Sequence, residues 1–339
     1  MMNTRRLYML RAAAVLLIIS GTLLACQVPV FRYALERWGA DDYRIIILHD
    51  RPLTADQTEA LGLLKQHADA KSKSSATVQV QTINVASDAK SLTAAQQEAW
   101  AKHSDRSSPL MLIHYPAANK VSHKTAMASA KLTPKEVTRL FDSPVRRQLA
   151  ENLSRGDSAV WLFVPCGREA DDEAALKRLK QQLAADSKWL EVPSAEELEV
   201  KPEVLQKVKI PLKMQFSTIT VRRDDPAEQF LINSLLRSED DLLDFDEPLA
   251  FPVFGQGRVL YALVGKGIST ATVRAASQFI GGPCSCQVKN QNPGFDLLLD
   301  YDWTKAVGDV LISEPIETVD TEANAPRLLT IPPGRKSRK

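Results

Sequence analysis

The sequence predicts an α/β protein made of two consecutive β-α-β-α-β-β-α sandwich domains, and three observations lead there. Short β-branched runs alternate with stretches of helical periodicity over most of the chain. The same order of elements is met twice. Laying Ile45–Leu48 (IIIL) on Val160–Phe163 (VWLF), a shift of 115 residues, also lays Glu59–Gln66 (EALGLLKQ) on Ala174–Gln181 (AALKRLKQ), with Ala, Leu, Leu, Lys and Gln coinciding. An echo at fixed spacing together with a shared element order is the mark of a duplication.

The chain opens differently from its body. Met1–Arg11 carries Arg5, Arg6 and Arg11 with no acid, and Ala12–Ala25 is an uncharged apolar run. That pairing is the pattern of a secretory signal peptide over residues 1–25, and the run is short for a span, which needs about 20 apolar residues. It ends in Leu23-Leu24-Ala25-Cys26, which resembles the lipobox of bacterial lipoproteins. The resemblance implies cleavage after Ala25, a diacylglyceryl thioether on Cys26 and acylation of the new N-terminus, which together anchor stably where one chain would not. Cys26–Tyr33 also resembles a Cys-x-Val-Pro-Val-Phe-Arg-Tyr segment of bacterial envelope lipoproteins, a likeness that brings no activity with it. In the tether, residues 26–42, Phe31, Leu35 and Trp38 fall on one helical face. That face fits either the membrane interface or the folded body.

The first domain, 43–156, begins with the strand Tyr43–His49. A helix over Thr54–Ala68 follows, with Thr54 as its N-cap. Thr77–Val85 alternates as a strand, and Ser91–His103 reads as a helix capped by Ser91 or Thr93. Pro109–His114 is a buried type of strand, Lys120–Ala128 alternates as its partner, and a helix starts near Thr133 with Pro134 in its first turn. The second domain, 157–303, repeats this order. Its elements are strand Asp157–Val164, helix Glu169–Asp186, strand Gln215–Arg222 and helix Pro226–Arg237, opened by Asp224 or Asp225. A hairpin, Leu249–Phe254 with Arg258–Val264, turns on Gly255-Gln256-Gly257, and helix Ser269–Ile280 closes the domain. Residues 304–339 read largely as a disordered tail, most polar beyond Ile316 and ending in a basic cluster.

The element order resembles that of thioredoxin-like domains over most of residues 43–281. Pro109 and Pro248 stand at or just before the third strand, where that family places a cis-proline. Pro248–Gly267 resembles its third strand, hairpin and fourth strand.

Chemistry is sparse. The resemblance implies two Cys at the start of the first helix, where the helix N-terminus activates one thiol and the second resolves the mixed disulfide. The first domain has His49-Asp50-Arg51-Pro52 there, with no thiol. The second has Pro165-Cys166-Gly167-Arg168-Glu169. Cys166 fits a nucleophile that Arg168 would favour, yet Glu169 stands where a resolving Cys belongs, and a half-buried structural Cys fits equally. Cys284 and Cys286, in Gly-Gly-Pro-Cys-Ser-Cys, suit a disulfide in some pairing, a labile redox pair, or two ligands for a soft metal such as Cu(I) or Zn(II). The five His do not converge. The acids of Asp171-Asp172-Glu173 and Glu239-Asp240-Asp241 read as first-turn or solvated residues. There is no Gly-x-Ser-x-Gly, phosphate loop or His-Glu-x-x-His.

Removing residues 1–25 takes away three Arg and no acid, so the formal net charge of +2 becomes −1. That argues against a nucleic-acid partner. The expectation is therefore a non-enzymatic binding or scaffold module needing no cofactor. It is held to the exported face of a bacterial cell membrane or outer membrane through acylated Cys26, with an envelope protein as partner. The alternative is thiol–disulfide or soft-metal handling through Cys284, Cys286 and Cys166.

Overall fold

Where β-branched and apolar residues run together, strands form, and the computed structural model describes residues 27–68, 78–117, 125–284 and 289–314. The first sheet holds β1 (Tyr43–His49), β2 (Val78–Asn84), β3 (Leu110–His114) and β4 (Ala128–Lys131) in the order β2-β1-β3-β4. β1 and β2 are parallel, and β3 is antiparallel to β1 and β4. The second sheet is ordered β10-β8-β7-β5-β6, from β5 (Ala159–Val164), β6 (Phe216–Thr220), β7 (Leu249–Phe254), β8 (Arg258–Val259) and β10 (Phe295–Asp296). β9 (Leu263–Val264) also pairs with β7. The protein is α/β with two mixed sheets.

Local chemistry sets the helices. In the first domain α2 (Ala55–Ala68) starts at Thr54, which exchanges hydrogen bonds with Gln57, and α3 (Ala94–Lys102) starts at a Thr93–Gln96 capping box. α4 (Pro134–Phe141) and α5 (Pro144–Ser154) repeat one device, an N-cap hydroxyl from Thr133 or Ser143 followed by proline in the first turn. In the second domain come α6 (Glu169–Trp189), α7 (Pro202–Lys207), α8 (Gln229–Leu236) and α9 (Thr270–Gly281), the last with a Ser269–Thr272 capping box. Before the first sheet lies α1 (Val30–Arg37), and after the second α10 (Trp303–Val307).

Several expectations need correction. The partner of β3 is Ala128–Lys131, not Lys120–Ala128, whose residues 120–124 lie outside the described chain. The fourth strand of the second domain is broken into β8 and β9. Leu260 N donates to Pro252 O, but Pro252 has no N–H to return the bond, and the ladder lapses there. α8 starts at Gln229 rather than Pro226, because Asp225 caps a tight turn through Ala227 N. The first arm, Leu249–Phe254, and the turn of the hairpin are as expected. Gly255 and Gly257 have φ of +61° and +106°, and a Cβ on Gly255 would come within 2.7 Å of Ala34 Cβ in α1. Pro109 and Pro248 do stand directly before β3 and β7, but no peptide bond among the described residues is cis.

The second sheet is buried on both faces. Val160, Leu162 and Val164 of β5 join one core, while Ala159, Trp161 and Phe163 join another under α1, α6 and α9. The first of these cores also holds Tyr43, Ile45 and Ile47 of β1 with Ala60 and Leu64 of α2, so it runs through both domains. Helix α5 had no counterpart in the sequence reading. It follows the first sheet in sequence, but Leu149, Ala150 and Leu153 share that core with β5.

Buried polar groups lock the domains together. Glu228, at the N-cap of α8, accepts from Ser143 Oγ at 2.6 Å and Val145 N at 2.8 Å, so a carboxylate of the second domain caps α5. Arg146 Nε donates to Ser143 Oγ at 2.9 Å, and Arg146 Nη1 to Leu298 O at 3.1 Å. Tyr115 Oη donates to Ser234 O, and Tyr43 Oη to Asp296 O. Asp296 pairs with buried Arg258 at 3.1 Å.

Helix α1 belongs to the protein interior. Its apolar residues Val30, Phe31, Tyr33 and Ala34 pack in the core with α9, and its polar residues are also enclosed. Arg32 is 1% exposed and pairs with Glu36 at 2.6 Å, and its Nη1 reaches Ile210 O. Glu36 accepts from Ile312 N and Ser313 N. Burial lowers the Arg32 pKa, and the Glu36 charge partly restores it. A helix lying in a membrane interface would leave that polar face in water. The same contacts correct the tail. Residues 304–314 are not disordered, since Val307, Ile312 and Ser313 are buried, while 315–339 lie outside the described residues.

Candidate functional site

Strand register builds an open face on the first sheet. Across β1 and β3, Arg44 stands opposite His114, Ile46 opposite Leu112 and Leu48 opposite Leu110, so the three pairs project to one side. Ile83 and Leu92 close over the Leu48–Leu110 end as a small core beneath Trp100 of α3. Toward Arg44 and His114 the face stays open, as a groove of about 650 Å³ between α3 of the first domain and α8 of the second. Ligand sites favour domain boundaries and volumes of roughly 300–1,000 Å³.

The groove has an apolar floor of Ile46, Leu110 and Leu112 with Ala126 and Met127 alongside. Its cations are Arg44, Lys102 and Arg237, against the carboxylate of Glu98, which Lys102 already holds at 2.6 Å. Arg44 Nε is buried and has no hydrogen-bond partner among the described residues. A buried guanidinium donor left open costs free energy that an arriving acceptor recovers. His103 Nε2 donates to Ser108 O at 2.7 Å, and buried His114 stands beside Arg44. Arg and leucine surface in one concavity suit an anion carried on an apolar body.

The groove was not read from the sequence, though one signal was present. Arg44 interrupts the apolar run Tyr43–His49 at the same parity as Ile46 and Leu48, so it shares their face. A strand buried on both sides leaves an arginine there without a partner.

The two described cysteines, Cys166 and Cys284, are not brought together. Cys166 is half-buried in the loop before α6, and Cys284 is 2% exposed in the core beside Val28, Met214 and Ile280. Helix α6 has 21 residues, about 30 Å at 1.5 Å each, and separates them. Cys166 precedes its start. At its far end Leu190 lies against Gly281, where an added Cβ would come within 3.4 Å of Leu190 Cδ1. Cys26 and Cys286 lie outside the described residues, as does His123.

The loop around Cys166 is occupied by a carboxylate. Asp172 Oδ1 accepts from Cys166 N at 2.8 Å, and Asp172 Oδ2 from Gly167 N at 2.9 Å. Both backbone donors just ahead of α6 are thereby taken. Arg168 turns to Asp171 at 2.6 Å. Asp172 lies in the first turn of α6, as expected, and also caps this loop. Of the remaining imidazoles, His49 contacts Arg51 O and His67 stacks on Phe141 at 3.6 Å. Among the described residues no three His, Cys, Asp or Glu side chains are grouped to hold a metal, and no helix is long and apolar enough to cross a membrane.

No protein-family model matches the chain, and no curated protein matches it.

Proposed function

We propose that this protein is an envelope lipoprotein anchored at a membrane's exported face through acylated Cys26, and that its two thioredoxin-like domains bind a ligand instead of exchanging disulfides. The repeated strand order, with the first pair parallel and the third strand antiparallel to both neighbours, supports the thioredoxin-like reading. The trans bonds at Pro109 and Pro248 depart from the family pattern. The capped loop at Cys166 and its distance from Cys284 favour binding over thiol chemistry.

The observation that carries the proposal is the groove, with its leucine floor and the unpartnered buried donor of Arg44. Its ligand would be a small apolar body bearing one anionic group, held by Arg44 and Arg237 over Ile46, Leu110 and Leu112.

Binding of 8-anilinonaphthalene-1-sulfonate to the native protein tests this, with neutral N-phenyl-1-naphthylamine as control. Each hydrogen bond to a charged group contributes about 1.5–3 kcal/mol, so Arg44→Ala with Arg237→Ala is expected to weaken sulfonate binding by at least about 10-fold and spare the neutral probe. Equal loss of both probes, or no loss, would refute the assignment. Turnover in an insulin-reduction assay that depends on Cys166 would replace this reading with a redox one.

A further inference from the structure

We infer that the end of the second domain where the described chain begins rests directly on a lipid bilayer, with Trp189 in the headgroup region and Arg274 against lipid phosphate. The inference rests on the lipid anchor proposed at Cys26 and goes beyond it. An anchor alone leaves a body free to float on its tether, whereas here the tether is too short for that.

Gln27 is the first described residue, and the chain is fixed one residue later. Val28 is 4% exposed, and its carbonyl accepts from Cys284 N at 2.9 Å. Val30 N donates to Gly282 O at 2.9 Å, and Pro29 forms a β-bridge with Pro283. From Val28 back to Cys26 an extended chain spans at most about 7 Å, at 3.3–3.6 Å per residue. A lipid on Cys26 therefore holds this end of the domain within a headgroup's depth of the membrane.

The surface at that end suits such a neighbour. Leu190 packs against Gly281, next to the Gly282 that binds Val30, and the residues flanking Leu190 stand out from the body. Trp189 is 50% and Val192 43% exposed, two of the three large apolar side chains exposed among the described residues. Trp189 is also held in place. Arg274 lies 4.6 Å from its ring, and Arg274 Nε donates at 3.0 Å to Asp186, which is fully buried. A tryptophan presenting an apolar face and an N–H is at home between hydrocarbon and water. An arginine beside it supplies the planar donor set that phosphate accepts. Exposed Lys188 and Glu191 balance each other, so contact with the bilayer should depend little on salt or on anionic lipid.

The test uses the full mature protein in phosphatidylcholine vesicles whose acyl chains are brominated near the headgroup, a quencher of tryptophan fluorescence. The acylated protein should lose Trp189 emission, a loss absent from Trp189→Phe, which stays vesicle-bound with an unchanged melting curve. Inserting ten Gly/Ser residues between Gln27 and Val28 should leave acylation intact and abolish the quenching. The mass of the N-terminal peptide is read separately. An unmodified Cys26 would overturn the anchor and this placement together. An acylated, vesicle-bound protein with the same quenching in wild type and Trp189→Phe, or quenching that survives the insertion, would overturn the placement alone.

Discussion

Replacing Glu228 with alanine removes the carboxylate through which the second domain caps a helix of the first. Glu228 is 1% exposed and accepts from Ser143 Oγ at 2.6 Å and Val145 N at 2.8 Å. Its loss orphans one backbone donor and one hydroxyl, and it removes the strongest compensating charge from Arg146. Arg146 is fully enclosed, and desolvation pushes its pKa down to about 10, with Glu228 the largest opposing influence. Losing a cap costs about 1 kcal/mol, and stripping the partner from a buried charge network raises the total to about 3–5 kcal/mol. For a chain this long, at roughly 2 °C per kcal/mol, the melting temperature should fall by about 6–10 °C. Urea unfolding read by tryptophan fluorescence and circular dichroism measures the change. A double-mutant cycle with Arg146→Met should show a coupling of about 1–3 kcal/mol, because a neutral residue at 146 no longer needs the carboxylate. A loss below about 1 kcal/mol for Glu228→Ala, or strict additivity in the cycle, would refute the reasoning that this cluster couples the domains.

Two more predictions concern titration and access. Asp105 is held down at about 2 by hydrogen bonds from Lys131 and Ser107. Between that value and the ordinary 3.8 the unfolded chain binds more protons, so stability rises with pH across this window and is lost as pH falls through it. A carboxyl NMR titration should place Asp105 there and return it toward the ordinary value in Lys131→Met; an unmoved midpoint would contradict the pairing. Native-state alkylation should modify half-buried Cys166 readily. Buried Cys284 should react at least about 10³-fold more slowly, since reaching it requires opening the core. Comparable rates for the two thiols would show the Cys284 core to be loosely held.

Much of the fold was legible because it is written in short-range periodicity. The echo between Glu59–Gln66 and Ala174–Gln181 has a physical cause. Ala60 and Leu64, and their counterparts Ala175 and Leu179, are fully buried against their respective sheets. Those four positions face a sheet and tolerate little change in volume, while the solvent side of each helix is free to vary. Caps were legible at Thr54 and Thr93, and helix starts at Thr133 and Ser269. Helix α5 was missed although Ser143-Pro144 carries the same signal as Thr133-Pro134, because no strand–helix template called for another helix there. The edge strand β10 is two residues long and exists only because β8 offers it partners, so no local pattern announces it.

Residue order by itself determined the strand runs, most helix starts, the repetition of one element order and the absence of a second thiol beside Cys166. Tertiary structure alone decided what each face meets. Phe31, Leu35 and Trp38 were equally compatible with a membrane and with a protein core. The enclosure of Arg32 and Glu36 decided between them, through Ile210, Ile312 and Ser313, partners 178 to 277 residues away. Arg44 became a candidate ligand contact only when β3 set His114 opposite it and α8 supplied Arg237 from the other domain. Periodicity is a property of a few neighbouring residues, whereas burial and pairing depend on which distant segments close over them, and that information is spread along the whole chain.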